Sequence, residues 1–365
     1  MASTGSMSGP WSRLPVIAPV IGLVVLVAVW GRDLPVLAAG GAALALGGAV
    51  LAAVHHAEVI AHKVGEPFGS LTLAVAVTVI EVGLVVTLMS SGGDGAASLA
   101  RDTVFAAVMI TCNGILGLSL LAAARRHGLA VFNAEGSGAA LATVATLTTL
   151  TLVLPTFTTS VPGPEFNDVQ LAFAAIASAV IYGAFVVTQT VQHRDFFLPV
   201  DVHDDADSHA EPPSGRAAMS SLALLLLSLV VVVGLAKVES PFIENAVEGA
   251  GLPHAVVGVV IALLVLLPES LAAYRAASRN RTQVSVNLAL GSAMASIGLT
   301  IPAIAVASIW LGGPLLLGLG PTQLVLFALT MLVGVLTVVP GRATRLQGIV
   351  HLAILAAFLF LAASP

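Results

Sequence analysis

The chain has 365 residues, of which 58% are hydrophobic and 9% are charged, and its formal net charge is −5. Soluble domains carry roughly 25% charged residues, so this composition excludes a soluble globular protein and indicates a polytopic membrane protein. The acidic balance offers no basic surface for nucleic acid, and the single cysteine excludes an intramolecular disulfide.

Eleven apolar runs are long enough to cross the ~30 Å of hydrocarbon in a bilayer as α-helices. The sequence therefore predicts an all-α polytopic membrane protein with about eleven transmembrane helices. These spans cover approximately residues 14–30, 34–54, 69–90, 103–123, 138–158, 168–191, 217–236, 252–274, 284–310, 318–339 and 345–363.

The basic residues predict the orientation of these spans, because Lys and Arg stay mainly on the cytoplasmic side. With the N-terminus inside, only Arg32, Arg101 and Lys237 fall on the outer side. The odd number of spans then places the C-terminus outside. The remaining basic residues lie on cytoplasmic segments: Arg13, Lys63, Arg125, Arg126, Arg194, Arg216, Arg275, Arg279, Arg281, Arg342 and Arg345.

Two spans each carry one carboxylate in the middle of an apolar run. Glu81 lies in GEPFGSLTLAVAVTVIEVGLVVTLM, residues 65–89, and Glu269 lies in VVGVVIALLVLLPESLAA, residues 256–273. We interpret every other Asp and Glu as lying in a loop or at the edge of a span. A carboxylate at bilayer depth costs about 2.5 to 3.5 kcal/mol and is normally kept where it binds something. We therefore expect Glu81 and Glu269 to bind a cation.

Two carboxylates at one low-dielectric site cannot both be ionised cheaply, so the site is either protonated or loaded with a cation. This competition would couple cation movement to proton movement without ATP, and the sequence has no G-x-x-x-x-G-K-[ST] loop. We expect no cofactor. Oxygen atoms of nearby polar residues could complete the coordination, although each is also a candidate for an ordinary interhelical hydrogen bond. These supporting residues are Thr78, Asn113, Asn287, Ser292 and Ser296.

The longest polar segment, residues 193–216, divides the chain into two sets of five spans. The predicted organisation is an N-terminal tail and first helix (1–33), a first five-helix repeat (34–192), the polar loop (193–216) and a second five-helix repeat (217–365). Five spans per repeat reverse the orientation of the second copy, which gives the inverted repeat typical of secondary transporters.

The polar loop, which this topology places in the cytoplasm, is rich in carboxylates and histidines. One interpretation is a flexible linker. The other is a weak cation or proton sensor, because clustered carboxylates suit hard cations and His titrates near neutral pH. The candidate regulatory residues are His193, Asp201, Asp204, Asp205 and Asp207.

The segments EPFGSLTLAVAVTVIEV, HRDFFLP and LLPESLAAYRAASRNRTQVSVNLALGSA resemble calcium/cation–proton antiporters of the cation/Ca²⁺ exchanger superfamily, in particular the bacterial ChaA type. The resemblance implies exchange of Ca²⁺, Na⁺ or K⁺ for H⁺ by alternating access, with Glu81 and Glu269 as the ion site. It also implies a bacterial cytoplasmic (inner) membrane protein whose partners are inorganic cations, protons and the lipid bilayer.

The chain departs from the G-N-A-x-E motifs of the better-known calcium exchangers. Thr78 and Leu266 stand at the Asn positions, and Ala295 stands where Gln is often found. The loss of amide oxygens leaves open a monovalent Na⁺(K⁺)/H⁺ antiporter with little Ca²⁺ activity.

Two other classes of function fit the sequence less well. An intramembrane enzyme would need Ser292 as nucleophile with His254 or His351 as base, but there is no G-x-S-x-G motif. A passive channel is less consistent with buried carboxylates and inverted repeats than a protein that binds and releases its ion.

Overall fold

The computed structural model describes residues 14–32, 34–65, 68–91, 95–199 and 213–365. Helices account for most of this chain. In order, the α-helices are α1 (Leu14–Val29), α2 (Val36–Val64), α3 (Phe68–Ser91), α4 (Leu99–Met109), α5 (Leu116–His127), α6 (Ala134–Thr148), α7 (Asp168–Val187), α8 (Gly215–Gly249), α9 (Ala255–Ser278), α10 (Thr282–Ala307), α11 (Pro321–Val338) and α12 (Arg345–Ala363).

Within the part of the chain that the structure describes, three spans contain a π-helical turn. The turn Ile110–Ile115 joins α4 to α5, so that one continuous span runs through both helices. The turns Thr149–Val153 and Thr188–Gln192 end α6 and α7. Turns of this kind are frequent at functional sites, and the first of them contains Asn113, one of the predicted supporting residues.

The predicted class and number of spans are confirmed. Among the described residues, nine helices are long and apolar enough to cross a membrane, and two shorter apolar helices, Leu14–Val29 and Val75–Ser90, correspond to the first and third predicted spans. A short antiparallel pair of strands, β1 (Ala130–Val131) and β2 (Arg342–Ala343), adds the one sheet found in the described chain.

Two helices are longer than the apolar runs that predicted them. The second span was predicted to end near residue 54, but α2 continues to Val64, and the seventh was predicted to end near residue 236, but α8 continues to Gly249. At 1.5 Å per residue, α8 is roughly 52 Å long, which exceeds the hydrocarbon thickness. Charged residues lower the hydropathy of a sequence window, but Lys and Glu favour helix formation, so the helix does not stop where the apolar run stops.

The described chain divides into two compact units. The first consists of the described parts of Met1–Thr87 and Glu211–Phe242. Within it α1 packs against α2, and α8 lies against α1 and α3 through small residues. A Cβ atom on Gly22 would lie 2.6 Å from Val231 Cγ1, and one on Gly83 would lie 2.8 Å from Val233 Cγ2. Glycines at these contacts let the helix backbones approach closely.

The second unit consists of the described parts of Leu88–Ala210 and of Ile243–Pro365. The span formed by α4 and α5 lies at its centre and is almost completely buried. Helix α9 packs against α4, α5 and α10, while α10 also packs against α6 and α7, and α12 packs against α5. Each of the two units thus contains chain from both predicted halves, and the predicted repeat boundaries themselves stay a prediction.

We expect Gly258→Ala to destabilise the second unit by about 1 to 3 kcal/mol. A Cβ atom at this position would lie 2.8 Å from the backbone carbon of Asp102 and the backbone nitrogen of Thr103, neither of which can rotate away. Gly183→Ala in α7 is the matched control, since a Cβ atom there has no neighbour within 4 Å and Ala favours a helix over Gly. Thermal unfolding in detergent should show a lower midpoint only for Gly258→Ala. Equal midpoints for the two variants would contradict this packing.

Candidate functional site

Glu81 lies on the buried face of α3. The buried residues of this helix recur at the three- and four-residue spacing of one helix face. Glu81 occupies one position of that stripe, with Ile80 and Leu84 as its apolar neighbours, and 2% of its surface is exposed. Thr78, one turn earlier, is 6% exposed. The two predicted site residues of the first unit are therefore both buried and lie on the same helix.

Glu269 lies on a buried face of α9, in the second unit. Small residues at Gly258, Ala262, Ala273 and Ala277 form a buried stripe along α9, and Glu269 is the one large polar residue in it, with 9% of its surface exposed. Because Pro268 has no N–H, the carbonyl of Leu264 lacks its usual intrahelical donor. Glu269 therefore lies on a buried helix face beside a locally interrupted hydrogen-bond ladder.

The supporting residues of the second unit lie on helices that pack directly against α9. Asn113 is in the π-helical turn between α4 and α5, and Ser292 and Ser296 are on α10. Asn113 is fully buried, Ser296 is buried and Ser292 is half-buried. The fold thus gathers oxygen-bearing side chains on the helices around the one that carries Glu269.

Asn113 is held in a buried network that sequence analysis did not predict. Its Nδ2 donates to Thr330 Oγ1 at 2.9 Å, and its Oδ1 lies 3.1 Å from His351 Nδ1. An amide oxygen accepts, so His351 Nδ1 carries the hydrogen. The other ring nitrogen, Nε2, then accepts from the Thr337 hydroxyl at 3.1 Å. These bonds orient the Asn113 side chain. Because both ring nitrogens of His351 are occupied by Asn113 and Thr337, His351 is not placed to act as a base for Ser292.

Asn287 makes hydrogen bonds to the start of the polar loop and along its own helix. Its Nδ2 donates to the Phe197 carbonyl at 2.7 Å, and its Oδ1 accepts from Gln283 Nε2 at 2.8 Å. Phe197 is buried and stacks edge-to-face on Phe185 with ring centroids 5.6 Å apart. Asn287 therefore anchors the start of the polar loop to α10, and the HRDFFLP segment is a docked turn rather than free linker.

The candidate regulatory residues are only partly within the described chain. His193 follows the π-helical turn Thr188–Gln192 and stacks on Phe196 with ring centroids 5.1 Å apart. Asp201, Asp204, Asp205 and Asp207 lie outside the described residues. The sensor interpretation of this loop stays a prediction.

Glu239 is a buried carboxylate that the sequence did not predict. The sequence predicts every acid other than Glu81 and Glu269 in a loop or at the edge of a span, but Glu239 lies within α8 and is 3% exposed. The error arose from ending the seventh span at residue 236, where the apolar run stops. Continuing the three- and four-residue spacing of Ser228, Val232 and Leu235 beyond the apolar run would have placed Glu239 on the buried face.

Comparison with known proteins places the chain in a family. The family model for sodium/calcium exchanger proteins matches residues 34–191 and 220–363, which is most of the sequence. The chain belongs to the sodium/calcium exchanger family. This exchanger-family protein is 50% identical over 320 residues to y4hA of Sinorhizobium fredii, which is named as an ionic transporter, covering 88% of this chain and 87% of that protein.

A second sequence relative and a solved structure are also similar to this exchanger. It is 34% identical over 349 residues to the sodium-potassium/proton antiporter ChaA of Escherichia coli, covering 94% of each chain. The solved structure of the H⁺/Ca²⁺ exchanger CAX matches with a TM-score of 0.70 at 15% identity, covering 96% of this chain and 88% of that one. The resemblance to ChaA-type members of the cation/Ca²⁺ exchanger superfamily is confirmed, and this exchanger is a multi-pass membrane protein.

Proposed function

We propose that this protein is a secondary active antiporter that exchanges Ca²⁺, Na⁺ or K⁺ for H⁺, with Glu81 and Glu269 as the carboxylates that take up cation and protons. The observation that carries the proposal is the burial of one carboxylate in the middle of an apolar helix in each unit, at 2% and 9% exposure. Such a group is expensive at bilayer depth unless it binds a cation or a proton.

The physical basis of exchange is competition for the same oxygens. A carboxylate in an apolar environment is costly as a free anion. It can be neutralised by a proton or by a cation, and a bound cation displaces the proton. If the protein changes its access only when the carboxylates are neutralised, cation moves in one direction and protons move in the other.

A second candidate is a monovalent antiporter, and the composition of α9 favours it. Leu266 is buried one turn before Glu269, on the same face, where an amide would supply an oxygen. The Leu266 carbonyl accepts from Ser270 Oγ at 2.7 Å. Within the described chain no group of three or more His, Cys, Asp or Glu residues could hold a metal ion. Ca²⁺ prefers six to eight oxygens, so the apolar side chain of Leu266 at this buried position favours Na⁺ or K⁺.

Flux assays in proteoliposomes with Ca²⁺, Na⁺ and K⁺ in turn test the proposal and separate its two forms. Cation influx that moves protons in the opposite direction supports antiport. Uptake of Na⁺ or K⁺ with little Ca²⁺ uptake supports the monovalent form. Cation flux without proton movement would contradict both.

We also propose the orientation with the N-terminus inside and the C-terminus outside, in a bacterial cytoplasmic membrane. Trp30 and Lys237, which this orientation places at the outer surface, lie together, with Lys237 Nζ 5.8 Å from the Trp30 ring centroid. Aromatic and basic side chains of this kind are typical of the membrane–water interface. Cysteine labelling from one side of intact cells, at residues 32 and 127 in turn on a Cys112→Ala background, would test it.

Deleting residues 201–211 should shift the pH or cation dependence of exchange but leave exchange measurable. The deletion begins after the docked HRDFFLP turn, so the Asn287 to Phe197 hydrogen bond is retained. Exchange by the deletion variant is compared with wild type in everted vesicles at matched expression. Complete loss of exchange by a well-inserted variant would show that the loop performs transport rather than modulating it.

A further inference from the structure

Glu239 is a buried carboxylate to which the proposed exchange site gives no role. It continues the buried stripe of α8, which runs through Ser228, Val232 and Leu235. Its Oε1 atom is buried and accepts no hydrogen bond from any residue that the structure describes. A buried carboxylate oxygen without a donor is costly, and a structural role would normally supply one. This oxygen is therefore available to a ligand.

The level of Glu239 in the membrane follows from its neighbours in the first unit. Helices α1 and α8 run side by side in the same direction, because Gly22 lies at Val231, Leu26 lies at Gly234 and Trp30 lies at Lys237. Glu239 is two residues beyond Lys237, at the level where α1 ends. Under the proposed orientation this level is the outer boundary of the hydrocarbon.

Helix α3 places Glu239 relative to Glu81. The two helices touch where Gly83 meets Val233. Glu81 is two residues before this contact and Glu239 is six residues after it, and both helices run outward in the proposed topology. At 1.5 Å per residue the two carboxylates differ in depth by about 12 Å. Glu239 therefore lies on the outer side of Glu81, within the same unit.

The one basic residue near Glu239 along α8 points elsewhere. Lys237 is two positions away, which is about 200° around a helix at 3.6 residues per turn, and its ammonium group lies over the Trp30 ring. Because Lys237 lies on the opposite face of α8, its positive charge does not neutralise the carboxylate of Glu239. A cation or a proton could neutralise that carboxylate instead.

We propose that Glu239 is an additional exchange carboxylate, which takes up a proton or a hard cation between the outer solution and Glu81. This inference rests on the proposed antiport function and adds to it a group that affects ion exchange at the outer face only. A carboxylate near the outer boundary shortens the step from water to the buried site and acts only on ions that enter or leave by the outer face.

The experiment measures the half-saturating concentration of Na⁺, K⁺ and Ca²⁺ separately from each side of oriented proteoliposomes. Glu239→Gln should raise the value at the outer face by at least about tenfold, which is less than a positioned proton-transfer group typically contributes, and leave the inner face unchanged. Glu248→Gln is the matched control, because Glu248 lies on the same helix with 60% of its side chain exposed. It should match wild type on both faces.

The remaining outcomes also decide the matter. Equal values for Glu239→Gln and wild type at both faces, or equal shifts at both faces, would overturn the assignment, since a merely structural role has no sidedness. If the Gln variant does not fold, Glu239→Asp decides by the same comparison, because it keeps a carboxylate and moves it. A wild-type protein that exchanges no ion would refute the proposed function instead, which keeps the two failures distinct.

Discussion

Replacing Glu81 or Glu269 by Gln should reduce cation/proton exchange by about 10²-fold or more while the protein still inserts and folds. Glutamine keeps the size and shape of the side chain but cannot gain or release a proton. Each carboxylate is buried in the middle of an apolar helix, so the substitution leaves that position without a group that can be ionised or protonated. Exchange by each variant would be followed in everted vesicles with a fluorescent pH indicator.

The matched control for these two variants is Glu135→Gln. Glu135 is an exposed residue in the first turn of α6, so the same change removes a charge from the surface rather than from the membrane interior. Its exchange should remain near wild type. Near-normal exchange by Glu81→Gln or Glu269→Gln at wild-type expression would refute the site assignment.

Apparent cation affinity should rise with pH, because protons and cation compete for the same carboxylates. If binding releases n protons, the logarithm of the affinity climbs by up to n for each pH unit while the free site is mostly protonated, and it flattens once the site is ionised. The slope therefore counts the protons exchanged. This slope is measured by isothermal titration of the purified protein with cation in detergent, at several pH values between about pH 5 and about pH 9.

The same titration of Glu81→Gln and of Glu269→Gln tests whether these two carboxylates are the groups that release the protons. If only one of the two carboxylates remains, the slope should fall, because fewer protons can be displaced. Cys112→Ala should leave the slope unchanged, since the thiol is buried and belongs to no proposed step. An affinity that is flat over the whole range would contradict competition.

The sequence predicted the class of fold and the two intramembrane acids because both depend on local composition. An apolar run of sufficient length has few alternatives to a transmembrane helix, and Glu81 and Glu269 interrupt such runs visibly. Glu239 was missed because hydropathy marks where a helix leaves the hydrocarbon, not where the helix ends. Its burial depends on the packing of α8, which the apolar run does not encode.

The network around Asn113 and the anchor around Asn287 could not be predicted for a different reason. His351 is 238 residues from Asn113, and Phe197 is 90 residues from Asn287. Such contacts depend on how helices distant in sequence pack together. Polar residues in apolar spans identify candidates for function, but without the fold a ligand looks the same as an interhelical hydrogen bond.

Proton release on adding cation to the purified protein tests the central claim most directly. A weakly buffered detergent solution of the wild-type protein receives Ca²⁺, Na⁺ or K⁺ in turn, and the change in pH is recorded together with the amount of cation bound. We predict acidification in proportion to binding, by at least one of the three ions, and its loss in the Glu81→Gln/Glu269→Gln double variant. Cation binding by the wild-type protein without any release of protons would contradict antiport at these carboxylates.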